Sequence, residues 1–139
     1  MQPWLIFALL SAVFAAATAI LAKIGIKGVD PDLATAVRTS VILVIAWGIA
    51  FARGQALGVT SLSRKTLLFL ALSGVATGLS WLCYFRALQM GKVSQVAPVD
   101  KASLALALVF AMVFLGESLT VKTAAGAGLI LVGTLVLAL

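Results

Sequence analysis

Long apolar stretches alternate with short polar stretches along the 139 residues of the chain. Five apolar stretches are long enough to cross a hydrocarbon core about 30 Å thick as helices that rise about 1.5 Å per residue. The predicted spans cover residues 3–22, 31–52, 66–86, 95–116 and 120–139. The pattern therefore predicts an all-α, polytopic membrane protein with five transmembrane helices in a single domain, residues 1–139.

The first apolar stretch has a competing interpretation as a secretory signal. Ala17-Thr18-Ala19 has the small side chains of a cleavage site. A signal peptide normally begins with a positively charged region, and residues 1–4 carry no basic side chain. The sequence therefore favours a true first span.

The start of the second span is marked by local chemistry. Asp30 is placed to cap a helix whose first position is Pro31, and Asp32 adds a carboxylate near the positive end of the helix dipole. The polar stretch after this span, residues 53–65, is the longest connection. The connections are short and leave no room for a second domain.

The amino-acid composition indicates what surrounds the helices. The chain is 63% apolar and 10% charged, with a mean hydropathy of +1.23. A soluble domain is roughly half apolar and about a quarter charged. A chain this short cannot bury so much apolar surface within itself, so the lipid bilayer must cover most of it.

The charge of the chain does not indicate nucleic acid. The net charge is +6 and the isoelectric point is near 10.1, but the basic residues are scattered singly between apolar segments. The chain has no histidine, a single cysteine (Cys83) and no pairing of a nucleophile with a base. We therefore expect neither an enzyme nor a bound metal or cofactor.

Three charged side chains fall well inside the predicted spans, away from the span ends, where each costs about 2.5 to 3.5 kcal/mol on insertion scales. Arg38 lies seven residues past Pro31, or about 10 Å along the helix. Asp100 and Lys101 lie five and six residues past Gln95. The second and fourth spans start from the same side of the membrane, which puts these charges at similar depth and predicts a pair between Arg38 and Asp100.

One interpretation of these charges is a polar cavity where a solute binds. Thr35 and Thr39 share the helical stripe of Arg38, and Ser103 shares that of Asp100. Ionisable groups inside a span usually face protein or water and serve transport or binding. This interpretation predicts that all six side chains, Lys101 among them, line the cavity.

The alternative is structural. If Pro98 is the first residue of the fourth helix, Asp100 is a first-turn carboxylate that complements the helix dipole. Lys101 then extends its ammonium group to the membrane interface. Asp100 and Lys101 also point about 100° apart on a helix, so they need not share a role.

Aromatic side chains end the third span. Trp81, Tyr84 and Phe85 either anchor the helix at the membrane interface or line a solute path by stacking on a flat or cationic ligand. With the polar groups above, the predicted solute-binding set is Thr35, Arg38, Thr39, Trp81, Tyr84, Asp100, Lys101 and Ser103.

Two features of the last span concern structure more than solute. Glu117 sits in a tight link just past Gly116, where we expect it to accept backbone hydrogen bonds near the start of the fifth helix, with a functional role as the alternative. Small residues give the last helix little bulk and predict close contact with a partner chain or with the third or fourth span of the same chain. They are Ala124, Gly126, Gly128 and Gly133.

Several motifs resemble a known family. They are residues 96–103 (Val-Ala-Pro-Val-Asp-Lys-Ala-Ser), residues 115–120 (Leu-Gly-Glu-Ser-Leu-Thr) before a glycine-rich last helix, residues 84–88 (Tyr-Phe-Arg-Ala-Leu), and Arg38 in the second span. Together they resemble the EamA domain of the drug/metabolite transporter superfamily. The resemblance implies a solute carrier in which most relatives have ten spans, made of two five-span units in opposite orientation. This sequence has one unit and would need a second chain to complete that architecture.

The basic residues support such a pairing. One side of the membrane receives Arg53, Arg64, Lys65 and Lys122, and the other receives Lys23, Lys27, Arg86 and Lys92. An excess of Lys and Arg sets orientation, and the balanced count gives no strong preference. We therefore predict dual topology and an antiparallel homodimer, which recreates inverted repeats. A fixed orientation with a parallel dimer is the alternative.

The resemblance implies a secondary transporter in the plasma (inner) membrane of a prokaryote. It would move a small polar or amphipathic metabolite or drug by alternating access, as a homodimer. One alternative is an exporter like the small multidrug-resistance proteins, but these use a carboxylate in the first span, and residues 3–22 contain none. The other alternative is a membrane subunit that transports nothing.

Overall fold

The computed structural model of the chain describes residues 3–139, and this part is helical. The α-helices are α1 Pro3–Gly25, α2 Pro31–Ala52, α3 Arg64–Met90, α4 Val93–Asp100, α5 Ser103–Leu115 and α6 Val121–Ala138. Among the described residues, five helical segments are long and apolar enough to cross a membrane, with α4 and α5 together forming the span Val93–Leu115. The predicted all-α architecture with five such helices is confirmed.

The start of α2 follows from its first residues. A carboxylate oxygen of Asp30 accepts hydrogen bonds from the backbone N–H groups of Asp32 at 2.9 Å and Leu33 at 3.2 Å. Pro31 occupies the first turn, where a missing N–H costs nothing. The predicted cap is confirmed, and it defines the residue at which α2 begins.

The connection after α2 differs from a simple polar loop. It contains a 3-10 helix, Ala56–Ser61, whose hydroxyl groups bond to nearby carbonyls: Thr60 donates to Leu57 O at 2.8 Å and Ser61 donates to Gly58 O at 2.7 Å. The sequence did not predict this short helix. It leaves Leu57 among the most exposed apolar side chains, at 83%.

The fourth span is broken at Lys101 and Ala102. Ser103 Oγ donates to Asp100 O at 2.7 Å, using the carbonyl that Leu104 N–H would bond in a continuous α-helix. Leu104 N–H bonds to Lys101 O instead, at 3.0 Å, in the tighter i to i+3 pattern. The span therefore consists of two helices joined by a tight turn about eight residues from its start.

The structure corrects two predictions about helix starts. The fourth span begins at Val93 and holds Pro98 inside α4, so the interpretation of Asp100 as a first-turn residue is wrong. The cap of α6 is Thr120, whose hydroxyl accepts from Thr123 N–H at 3.1 Å, so the prediction of Glu117 as the capping group is also wrong. A threonine directly before the helix reaches the free N–H groups more easily than a side chain three residues earlier.

The described residues divide into two compact units. The terminal unit comprises residues 3–23 and Met90–Leu139, and the central unit comprises Ile24–Gln89. Within residues 3–139 the buried hydrophobic side chains are Ala19, Ile26, Phe85 and Leu88, whereas most large apolar side chains are exposed. An exposed apolar surface of this extent suits contact with lipid.

In the terminal unit α6 packs against α4 and α5. Thr134 on α6 is buried, and its hydroxyl donates to Pro98 O on α4 at 3.2 Å. Lys23 Nζ at the end of α1 donates to Gly91 O at 2.7 Å. These bonds join the helices of this unit through backbone carbonyls.

Helix geometry also corrects the predicted small-residue surface of α6. At about 100° per residue, Ala124 and Gly128 lie on one flank, while Gly126 and Gly133 lie about 160° away on the opposite flank. Thr134, whose side chain faces α4, projects from the helix between these two flanks. The four residues therefore form two separate narrow surfaces.

Candidate functional site

The central unit places a charged side chain against aromatic rings. Arg38 lies on α2, and its Cζ atom is 4.3 Å from the ring centroid of Trp81 and 5.2 Å from that of Phe85, both on α3. Both distances are within the range in which a guanidinium is attracted to a ring face. Trp81 and Phe85 are four residues apart, so α3 presents them on one face.

Burial distinguishes the two rings. Phe85 is 3% exposed and belongs to the core of the central unit, whereas Trp81 is half-buried. Tyr84 is also half-buried, and its ring meets that of Phe85 edge to face with centroids 6.2 Å apart. We define the Arg38 cluster as Arg38, Trp81, Tyr84 and Phe85. Phe85 forms its base, and Trp81 and Tyr84 form its accessible part.

The carboxylates of the central unit do not pair with Arg38. Asp30 is engaged as the cap of α2, and Asp32 is exposed in the first turn. Within residues 24–89 the described ring contacts of Arg38 are with Trp81 and Phe85, over which its Cζ atom lies. Its N–H groups point outward in the plane of the guanidinium and remain able to bind an acceptor.

The two predicted threonines use their protons locally. Thr35 Oγ1 donates to Pro31 O and Thr39 Oγ1 donates to Thr35 O, each at 2.8 Å. Thr35 is buried and Thr39 is exposed. Each hydroxyl oxygen can still accept a hydrogen bond, so these residues can receive a donor group and have no spare proton to give.

The remaining predicted residues lie at the break in the fourth span, in the terminal unit. Asp100 Oδ2 and Lys101 Nζ form a salt bridge of 3.2 Å. The two residues therefore act as a pair, although their positions on a helix gave no reason to expect it. Ser103 uses its hydroxyl proton on Asp100 O and so helps to form the break.

The predicted site thus divides by unit. The central unit brings together Arg38 with Trp81 and Tyr84, and the terminal unit brings together Asp100 with Lys101 and Ser103. The pair between Arg38 and Asp100 stays a prediction. Phe85 was not predicted as a contact of Arg38, although its spacing of four residues from Trp81 was a usable signal.

A second surface feature lies toward the other end of α2. An open apolar groove runs between α2 and the 3-10 helix, and contains none of the predicted solute-binding residues. Trp47, which also packs against Phe51 with ring centroids 5.8 Å apart, forms part of its wall. The residues that line the groove carry no charge.

Comparison with known proteins agrees with this membrane architecture. The EamA-like transporter family matches residues 2–139. An "Uncharacterized transporter in cobO 3'region" from Sinorhizobium sp is 47% identical over 137 residues, which cover 99% of this chain and 97% of that protein. No solved structure matches the chain. The range matched by the family includes both compact units.

Proposed function

Since the chain belongs to the EamA-like transporter family, we propose that it is a secondary transporter for a small polar or amphipathic metabolite or drug, working by alternating access. The family makes it a membrane transporter, and its five long apolar helices fit an integral, multi-pass protein. The bacterial origin of the Sinorhizobium relative supports the plasma (inner) membrane of a prokaryote as its location.

The observation that carries the proposal is the Arg38 cluster. A charged side chain about 10 Å into a span is costly in lipid, and such residues usually mark a solute or ion path. Two aromatic rings hold the guanidinium in place. The cluster therefore combines a fixed charge with half-buried rings, which suits a solute that has both polar and apolar parts.

We propose that the working form is a homodimer. Alternating access commonly uses two repeats that move against one another about a central site. The relative from Sinorhizobium is matched over 97% of its length, so it too is about one five-helix unit long. The balanced Lys and Arg count supports an antiparallel arrangement of two such units.

The alternative exporter chemistry has less support. Exporters of the small multidrug-resistance type use a membrane-embedded carboxylate in the first span, and α1, Pro3–Gly25, contains no Asp or Glu. A subunit that transports nothing would need none of the features of the Arg38 cluster. The family to which the chain belongs favours transport over both alternatives.

Reconstitution tests the proposal directly. The purified chain in sealed liposomes should take up or release at least one solute from a panel of metabolites and drugs, and the flux should saturate with solute concentration. Protein-free liposomes measure leakage. If no solute crosses faster than in these liposomes, although the chain is inserted and folded, the transporter proposal is wrong.

A further inference from the structure

Three charges lie well inside the described spans, away from the span ends. Asp100 and Lys101, in the span Val93–Leu115, neutralise each other through their 3.2 Å salt bridge. Arg38 is the third of these interior charges, and its described ring contacts are with Trp81 and Phe85. Arg38 is therefore the interior charge that forms no salt bridge among the described residues.

The geometry of the cluster leaves the hydrogen-bonding edge of Arg38 available. The Cζ atom of Arg38 lies over the rings of Trp81 and Phe85, and the N–H donors of the guanidinium form a rigid planar fork. That fork matches the two oxygens of a carboxylate or phosphate. The rings restrict the side chain before any solute arrives, so less conformational freedom is lost on binding.

We propose that the solute is a small anion whose carboxylate or phosphate group binds the guanidinium of Arg38. Its apolar part lies against Trp81 and Tyr84, because these rings are half-buried while Phe85 is fully covered. The bound anion offsets the positive charge of Arg38, and a cationic solute is repelled from the same place. This inference rests on the proposed transport function and gives the class of solute.

Matched probes of different charge test the inference. Benzoate, phenyl phosphate, benzamide and benzylammonium share a ring and differ in the charged group. The full chain is placed in phosphatidylcholine nanodiscs, and the thermal unfolding midpoint is measured with each probe, because a ligand that binds the folded state raises that midpoint. A parallel sample containing phosphatidylglycerol shows whether an anionic lipid headgroup takes the place of the solute anion.

We expect benzoate or phenyl phosphate to raise the midpoint, and the uncharged and cationic probes to leave it unchanged. Arg38→Gln should weaken anion binding by at least about tenfold, since a hydrogen bond to a charged group is lost. Arg38→Lys keeps the charge and loses the fork, so its affinity for the anion should lie between those of the wild type and Arg38→Gln. If Arg38→Gln does not fold, Arg38→Lys is compared with the wild type instead. Arg86→Gln is the control, because it removes an exposed arginine from α3.

Four results would overturn the inference: no response to either anion, an equal response to benzamide or benzylammonium, the same anion affinity in Arg38→Gln as in wild type, or a response to the anionic lipid alone. Transport of uncharged or cationic solutes with rejection of anions would refute it and leave the transporter proposal intact. Absence of any transport would instead refute the proposed function.

Discussion

The two rings beside Arg38 stabilise its guanidinium in different ways. Trp81 has the closer ring, at 4.3 Å, and tryptophan offers the strongest ring face to a cation. Phe85 lies farther away, at 5.2 Å, and is buried, so it supports the cluster mainly by packing. Trp81 is therefore the residue at which the ring contact can be changed with the least damage to the core.

Trp81→Leu tests the contribution of that ring. Removing it should lower the free energy of unfolding by roughly 1 kcal/mol, within the range of about 0.5 to 2 kcal/mol for such contacts, and Trp81→Phe should cost less. Denaturant titration in detergent micelles measures both. In an Arg38→Gln background the cost of Trp81→Leu should shrink. An equal cost in both backgrounds would mean that Trp81 acts through packing alone.

Helix ends could be predicted from the sequence where they depend on residues that are close together in the chain. Asp30 and Pro31 predicted the start of α2, because the cap needs only backbone groups two and three residues away. The break at Lys101 and Ala102 was missed, because it depends on Ser103 taking a carbonyl from the backbone. The contact of Phe85 with Arg38 was missed for another reason: it joins two helices that are far apart in sequence.

Thr134 provides a test of how α6 is held to α4. Its hydroxyl bonds to Pro98 O at 3.2 Å, and interhelical hydrogen bonds in membranes contribute about 0.6 kcal/mol on average and up to about 1.7 kcal/mol. Thr134→Val keeps the shape and should lower the free energy of unfolding within that range. Thr77→Val is the control, because the exposed Thr77 bonds only within α3, to Ser73 O at 2.9 Å. A larger loss in the control would contradict the assignment.

The two flanks of α6 allow a test of which surface meets a partner chain. A Cβ atom added at Gly128 or Gly133 would meet no atom within 4 Å among the described residues, so leucine at either position should leave the monomer folded. Gly126, beside Gly133, is partly covered by the chain itself, which leaves the flank of Ala124 and Gly128 more open. Gly128→Leu should therefore weaken dimerisation in detergent, measured by analytical ultracentrifugation. Gly133→Leu, the matched control on the other flank, should not; the reverse result would assign the contact to that flank.

At the scale of the whole molecule, the balance of basic residues governs orientation. The five-span topology predicts four Lys and Arg residues near the span ends on each side, and orientation responds to an excess of such residues on the cytoplasmic side. We therefore expect the chain to insert in both directions. Reporter fusions after Leu139, one active only in the cytoplasm and one active only outside it, should both give signal.

A small change in charge at the C-terminus should then shift the proportion of chains in each orientation. Two lysines added after Leu139 create an excess at that end and should raise the cytoplasmic reporter signal at the expense of the other. Two glutamates at the same place are the matched control, because acidic residues contribute little to orientation and should leave the ratio near that of the wild type.

If the working form is an antiparallel dimer, it needs chains in both orientations. A variant strongly biased toward one orientation should then transport less, and coexpressing two variants biased in opposite directions should restore transport. A wild-type chain found in one orientation, with transport unaffected by the added lysines, would exclude the antiparallel dimer and favour a parallel one.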